Sequence, residues 1–237
     1  MTTPHAPSGS PGRAATRELL VGIDDAPPVP MQQGDPEAGD FRGYEVDLLE
    51  ALAERLGVTL RYRRAYWSAI VGDLADGRID AVCSAATVTP ERAREVDFCR
   101  PHLRITLAVV ARAGDGGGTA LAGRRVGVRA GTTAEAYARA HGASEPAAVS
   151  ESNDELYAAL AAGTLDLVVD DSPIAAHFAR AVPGLSVVGT LSGTEAAYAI
   201  MVRKGDDALR NALDAAVGAL ERDGTLGALR ERWGLAA

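Results

Sequence analysis

No apolar run in this 237-residue chain approaches the roughly 18 residues that cross a bilayer, so no membrane-spanning helix is expected. Cysteine is scarce: Cys83 and Cys99 stand alone, without metal or redox spacing, and are expected as buried free thiols rather than a disulfide. The four histidines are scattered, with no pair at i, i+4, so no metal site and no cofactor is expected. Positive charge is outnumbered, and a formal net charge of -8 argues against a nucleic-acid surface, which needs clustered Lys and Arg. GxSxG, P-loop and GxGxxG motifs are lacking, which removes the usual signatures of hydrolases, NTPases and dehydrogenases. Residues 1–17 hold no signal-peptide apolar core and no cysteine to carry a lipid; rich in Pro, Ser, Gly and Thr, they read as a disordered arm. As written, the chain has no visible export address and reads as cytoplasmic.

What remains is an ordinary globular composition, 47% hydrophobic and 24% charged, long enough for one large domain or two lobes. Leu19–Ile23 reads as a strand. Gly43–Gly57 reads as an amphipathic helix with Leu48, Leu52 and Leu56 on one face and a glycine placed to cap its end. Val58–Tyr62 alternates as the next strand. This alternation continues, predicting an α/β fold of mostly parallel sheets flanked by helices. Leu74–Ser84 resembles Leu160–Asp170, each reading as helix end, glycine cap, Asp and buried strand, which suggests two lobes on one plan. The Gly-rich segment Ala113–Thr119 is expected as an inter-lobe loop. If the extended runs Ile105–Arg112 and Tyr198–Arg203 both cross between lobes, residues 18–107 with 200–237 form the first lobe and 108–199 the second. Two such crossings make a hinge.

Ligands in open α/β sheets sit beyond the strand C-termini. Four segments there carry polar chemistry: Asp24-Asp25, Ser84 to Arg92, Arg129 to Thr133, and Asp170-Asp171. Arg92 offers a planar fork for a carboxylate. Thr132-Thr-Ala-Glu135 fits a capping box opening a helix over Ala134–Ala140, with free N–H groups that favour an anion. Asp171 can accept from an ammonium. Plainer readings stand beside these: Arg92 as a solvated helix residue paired with Glu95, Asp171 as the N-cap of a helix starting near Ser172-Pro173, and Trp67 as core.

The motifs Gly43-Tyr-Glu-Val-Asp-Leu48, Gly77-Arg-Ile-Asp80, Thr87-Val-Thr-Pro-Glu-Arg92, Val96-Asp-Phe98, Val126 to Glu135, Gly163-Thr-Leu-Asp166, Asp171-Ser-Pro173, Val202-Arg-Lys-Gly205 and Arg232-Trp-Gly234 occur in one order. Together they resemble the solute-binding proteins of polar amino-acid ABC transporters (bacterial extracellular solute-binding proteins, family 3). The resemblance implies a two-lobed type II periplasmic-binding-protein fold that closes by a hinge on a small amino-acid-like ligand. It implies an extracytoplasmic setting, an ABC permease as partner, and a monomer. It implies that Arg92, Thr87 and the Thr133 N–H hold the ligand α-carboxylate, that Ser84 and Asp171 receive its α-amino group, that Trp67 forms an aromatic wall, and that Asp24 makes a polar contact at the rim. Arg129 points by alignment toward the ligand side chain, where a polar or acidic group is expected. The departures are Pro27, where relatives place a closing aromatic, Ala85, where Ser or Gly is frequent, and His102, where Tyr is usual. The same fold also hosts cyclohexadienyl and arogenate dehydratases, but Pro173, Ile174 and Ala175 stand where those place an acid. Another cleft activity using Asp170 or His102, and a ligand-sensing module, are the remaining readings.

Overall fold

The computed structural model describes residues 17–115, 118–142 and 148–236. The arm expected over residues 1–17 therefore lies outside the described residues except for Arg17, which opens a strand. Gly116 and Gly117 of the glycine-rich segment lie outside them too.

The chain runs through β1 (Arg17–Asp24), α1 (Tyr44–Leu56), β2 (Val58–Ala65), α2 (Trp67–Ala75), β3 (Ala81–Val82), a 3-10 turn (Arg92–Arg94) and β4 (Val96–Phe98). It continues through β5 (Leu103–Ile105), β6 (Leu107–Arg112), β7 (Val126–Arg129), α3 (Thr133–Ala140), β8 (Ala148–Ser150), α4 (Asn153–Ala161), β9 (Leu167–Asp171), α5 (Ser172–Ala181) and β10 (Leu185–Thr190). It closes with β11 (Ala196–Tyr198), β12 (Met201–Arg203), α6 (Asp207–Arg222) and α7 (Thr225–Arg232). No helix among the described residues is long and apolar enough to cross a membrane.

Two five-stranded sheets result, ordered β2-β1-β3-β12-β4 and β8-β7-β9-β6-β10. The pairing is the same in both. The first three strands of each are parallel, and the fourth runs antiparallel to its neighbours. The internal sequence similarity has a physical cause in this plan. Asp80 accepts from Leu20 N at 2.9 Å and donates its own N–H to Leu20 O. Asp166 does the same to Arg125, accepting at 2.8 Å. The aspartates thus set the register of β3 against β1 and of β9 against β7. Beside each clamp a glycine leaves room for a core side chain: a Cβ on Gly22 would stand 2.4 Å from Ile79 Cδ1, and one on Gly127 2.5 Å from Leu165 Cδ1, so either methyl would have to shift.

β5 pairs antiparallel with β11 in a separate two-stranded ribbon, and through it the chain passes from one sheet to the other and back. The crossings thus precede the extended runs expected to make them. Ile105–Arg112 breaks at Thr106, whose N–H bonds Ser172 Oγ at 3.3 Å and whose hydroxyl meets Thr194 Oγ1 at 2.8 Å. The described start of the glycine-rich segment is not between the lobes: Ala113 N bonds Gly184 O at 2.7 Å, at the outer end of β6.

The leucine stripe of α1 packs as its spacing predicts. Leu48 and Leu52 are buried with Val21, Ile23, Leu213 and Val217 in the first lobe's core, and Leu56 is half-buried against it. Glycines bound the helix. Gly57 takes the left-handed C-cap conformation. At the N-terminus Gly43 has no side chain to cap with, and the preceding loop substitutes: Pro30 O accepts from Tyr44 N and Met31 O from Glu45 N. That close approach requires glycine, since Gly43 has φ 147 and a Cβ there would lie 2.1 Å from the Met31 carbonyl oxygen. Gly43→Ala is expected to cost on the order of 3 kcal/mol by urea unfolding. Gly39→Ala, with open space around its Cβ, is expected to cost about 1 kcal/mol.

Candidate functional site

The C-terminal ends of β3, β7 and β9 converge between the two sheets on a small cavity of about 30 Å³. Seven expected residues line it: Trp67, Ser84, Thr87 and Arg92 from the first lobe, and Arg129, Thr133 and Asp171 from the second.

Arg92 follows the loop Thr87–Glu91, which is anchored to the ribbon by Val88 N bonding Ala197 O and by the Thr87–Tyr198 bridge. Its guanidinium is not paired with Glu95. It lies 4.9 Å from the centre of the Trp67 ring, donates through Nη1 to Thr87 O at 3.0 Å, and reaches across with Nη2 to Gly131 O at 3.1 Å. Trp67 Nε1 donates to the same carbonyl at 3.2 Å, so Gly131 O is clasped by two donors of the opposite lobe. Thr132 N-caps α3 as expected, accepting from Glu135 N at 3.3 Å. Glu135 departs from the usual reciprocal box: it reaches Gly131 N, one residue earlier, at 2.8 Å.

Asp171 sits at the N-cap position of α5, but its side chain caps nothing. Oδ2 accepts from Tyr198 OH at 2.6 Å, while Oδ1 is buried without a hydrogen-bond partner. Burial raises this carboxyl to about 6, against the opposing pull of the Tyr198 hydroxyl and the Arg92 charge. Asp170 also lines the cavity; burial and the neighbouring Asp171 charge raise it to about 8, so it is protonated at neutral pH.

Asp24 requires a correction. It is not at a rim: it is 1% exposed and absent from the cavity wall, because Arg129 covers it with an Nη2–Oδ2 pair of 2.5 Å. Arg129 is further held by Glu151 O at 3.0 Å. Burial raises the Asp24 carboxyl and Arg129 opposes the shift. Ser84 is engaged as well. Its hydroxyl accepts from Asp24 N at 3.1 Å and donates to Gln32 Oε1 at 3.2 Å, leaving one lone pair for a ligand. Pro28, not Pro27, reaches the cavity. His102 does not: it is fully buried elsewhere in the first lobe, which removes it as a cleft acid or base.

Two supporting residues escaped the sequence reading. Glu45 accepts from Ala85 N with both carboxylate oxygens, at 3.0 and 2.9 Å, bracing an alanine held at φ 49 on the cavity wall. Gln32 Nε2 donates to Cys83 O behind it. Glu45 left one signal: an acid on the same helical face as Leu48, Leu49 and Leu52. Gln32, in a Pro-rich loop, left none.

The profile of the bacterial extracellular solute-binding proteins, family 3, matches residues 19–236. The L-cystine-binding protein TcyJ of Escherichia coli (strain K12) is 28% identical, over 91% of this chain and 82% of its own length. The L-arginine-binding protein of Pseudomonas aeruginosa is 32% identical, over 94% and 90%. Among solved structures, an ancestral arginine-binding protein bound to glutamine superposes with a TM-score of 0.83 at 30% identity, covering 91% of this chain and 97% of that one. With a profile match over nearly the whole described chain and two similarly built lobes facing one cavity, the protein belongs to the bacterial extracellular solute-binding proteins of family 3.

Proposed function

We propose that the protein captures one free α-amino acid between its lobes and serves as the binding component of an ABC uptake system, working as a monomer with a permease as its macromolecular partner. The observation that carries the reading is the pairing of the Arg92 guanidinium with the unpartnered Asp171 Oδ1 on opposite walls of one cavity. A zwitterion satisfies both. Its carboxylate takes the Arg92 fork, with Thr87 and the Thr133 N–H beside it, and its ammonium donates to Asp171 and to the remaining lone pair of Ser84. Trp67 walls the ligand, and Arg129 faces its side chain.

The Arg129–Asp24 pair supports a neutral polar or acidic ligand side chain. A cationic one would have to displace Arg129 from a buried carboxylate, leaving a guanidinium unpaired. Calorimetry is expected to show tighter binding of Gln or Glu than of Leu or Arg; equal binding of Glu and Leu would sink this assignment.

A ligand bound only to the native state raises the melting temperature by mass action. Across a panel of amino acids, one chemical class is expected to produce such a shift. Arg92→Ala is expected to weaken binding by on the order of 3 kcal/mol, or about a hundredfold; an unchanged shift refutes the carboxylate site.

The pH dependence follows from Asp171. Its carboxylate form receives the ammonium, so affinity is full above about 6 and falls as the pH drops through that value, approaching tenfold per unit. Stability of the ligand-free protein has its own sign. The folded pKa of Asp170 is raised, so the native state holds a proton that the unfolded chain releases, and stability falls as pH rises from about 4 through about 8. Asp170→Asn is expected to raise the ligand-free melting temperature at pH 8 and to change it little at pH 5. A loss of stability at both would overturn the assignment of a buried, costly charge.

A second reading rests on that same residue. A protonated Asp170 facing a ligand cavity is chemically a general acid. Turnover of prephenate or arogenate by the wild type, abolished in Asp170→Asn, would favour a lyase over a carrier.

A further inference from the structure

Away from the cleft, in the core of the first lobe, three side chains from separate elements meet. A carboxylate oxygen of Glu45, Cys83 Sγ and a ring nitrogen of His102 all lie within 4.8 Å of one another. Glu45 comes from the first turn of α1, Cys83 from the residue after β3, and His102 from the residue before β5. Along the chain they have no metal-site spacing, which is why scattered cysteines and histidines predicted none. Among the described residues this is the one group of three such ligands so placed.

His102 is the decisive member. It is 0% exposed, and neither ring nitrogen has a hydrogen-bond partner. Its Nε2 stands 3.5 Å from Glu45 Oε1, beyond a good hydrogen bond. A buried imidazole with two orphaned nitrogens is destabilising where an apolar ring would not be. The surroundings nonetheless fix its place. The His102 carbonyl accepts from Tyr44 OH at 2.8 Å and from Arg230 Nε and Nη2 at 3.1 and 2.8 Å, and its N–H donates to Tyr198 O at 3.0 Å. The ring lies between those of Tyr44 and Tyr198, with centroids at 5.6 and 6.5 Å. Glu45 is oriented by Ala85 N.

We propose that Glu45, Cys83 and His102 form a buried site for a borderline divalent cation of the Zn²⁺ class. One thiolate, one imidazole and one carboxylate suit tetrahedral zinc with a fourth position for water; a single oxygen donor is too few for Ca²⁺ or Mg²⁺. Binding replaces the Cys83 S–H bond by a sulfur–metal bond and releases that proton to solvent, so affinity rises as the pH rises and is lost in acid. His102 also borders a second cavity lined by Arg100, Arg104, Glu221 and Arg230, but its ring is fully buried, so loading occurs most readily while the lobe folds.

The test uses the full chain, stripped with chelator in guanidinium and refolded with Zn²⁺ or Co²⁺ alone, without amino acid. The expected result is one metal per chain after desalting, a thiolate-to-cobalt charge-transfer band, and a melting temperature above that of metal-free protein. Cys99→Ser should keep the band. Cys83→Ala should lose it, and His102→Phe, which keeps an aromatic ring between the two tyrosines, should lose tight binding while remaining folded by circular dichroism. Metal-free wild type after refolding, or an undiminished metal content in both Cys83→Ala and His102→Phe, overturns the site. Because the readouts are metal content and absorbance, they do not depend on whether the cleft binds an amino acid.

Discussion

Burying several charges in one cavity between two lobes is the constraint on which the rest of this structure turns. Arg92, Arg129, Asp170 and Asp171 all line the same space, and each would be costly there without a partner. The protein answers each cost differently. Arg129 is neutralised by Asp24 of the opposite lobe, so the closed arrangement carries its own inter-lobe ion pair. Asp170 keeps its proton. Arg92 spends its donors on backbone carbonyls, one of them across the cleft. Asp171 is left half satisfied, with one oxygen on Tyr198 and one free. In the proposed function that incomplete acid takes a cation, and the Arg92 N–H groups not engaged by the two carbonyls take the anion attached to it.

Such a site demands precise placement of loops, which the scaffold supplies from behind. The aspartate clamps at Asp80 and Asp166 hold β3 in register with β1 and β9 with β7, and cavity-lining segments leave from those strands. Glu45 then grips the first of these loops at Ala85, and Tyr198 ties the ribbon between the lobes to the acid of the second. Tyr198 also packs toward His102, placing the Glu45–Cys83–His102 cluster one layer beneath the cleft. The ribbon and the cleft are thus mechanically continuous.

Much of this was legible in the sequence because its causes are local. The leucine spacing of α1, the glycine caps, the repeated Gly–x–x–Asp before each buried strand and the Thr132 cap depend on residues within a few positions of one another. Arg92 and Asp171 were legible for a related reason: each stands at or past the end of a strand, where the α/β architecture leaves polar groups facing a cleft, whereas the roles expected of Trp67, Thr87 and Thr133 came from the family resemblance. Asp24 was correctly seen as polar and wrongly as peripheral, because nothing near it in the chain announces that Arg129 will cover it.

The sequence by itself therefore determined most of the elements, the α/β class and the inventory of charged groups, since these follow from periodicity, capping and composition, while the two lobes were suggested by its internal repeat and by the family resemblance. Only the tertiary structure decided which of those groups neutralise each other and which remain unpaired. Asp24 meets Arg129 and Asp171 meets Tyr198, while His102 comes to lie beside Glu45 and Cys83. The physical reason is that electrostatic and hydrogen-bond energies depend on distance and burial in space. Neither quantity is carried by residue spacing once the chain has crossed from one sheet to another.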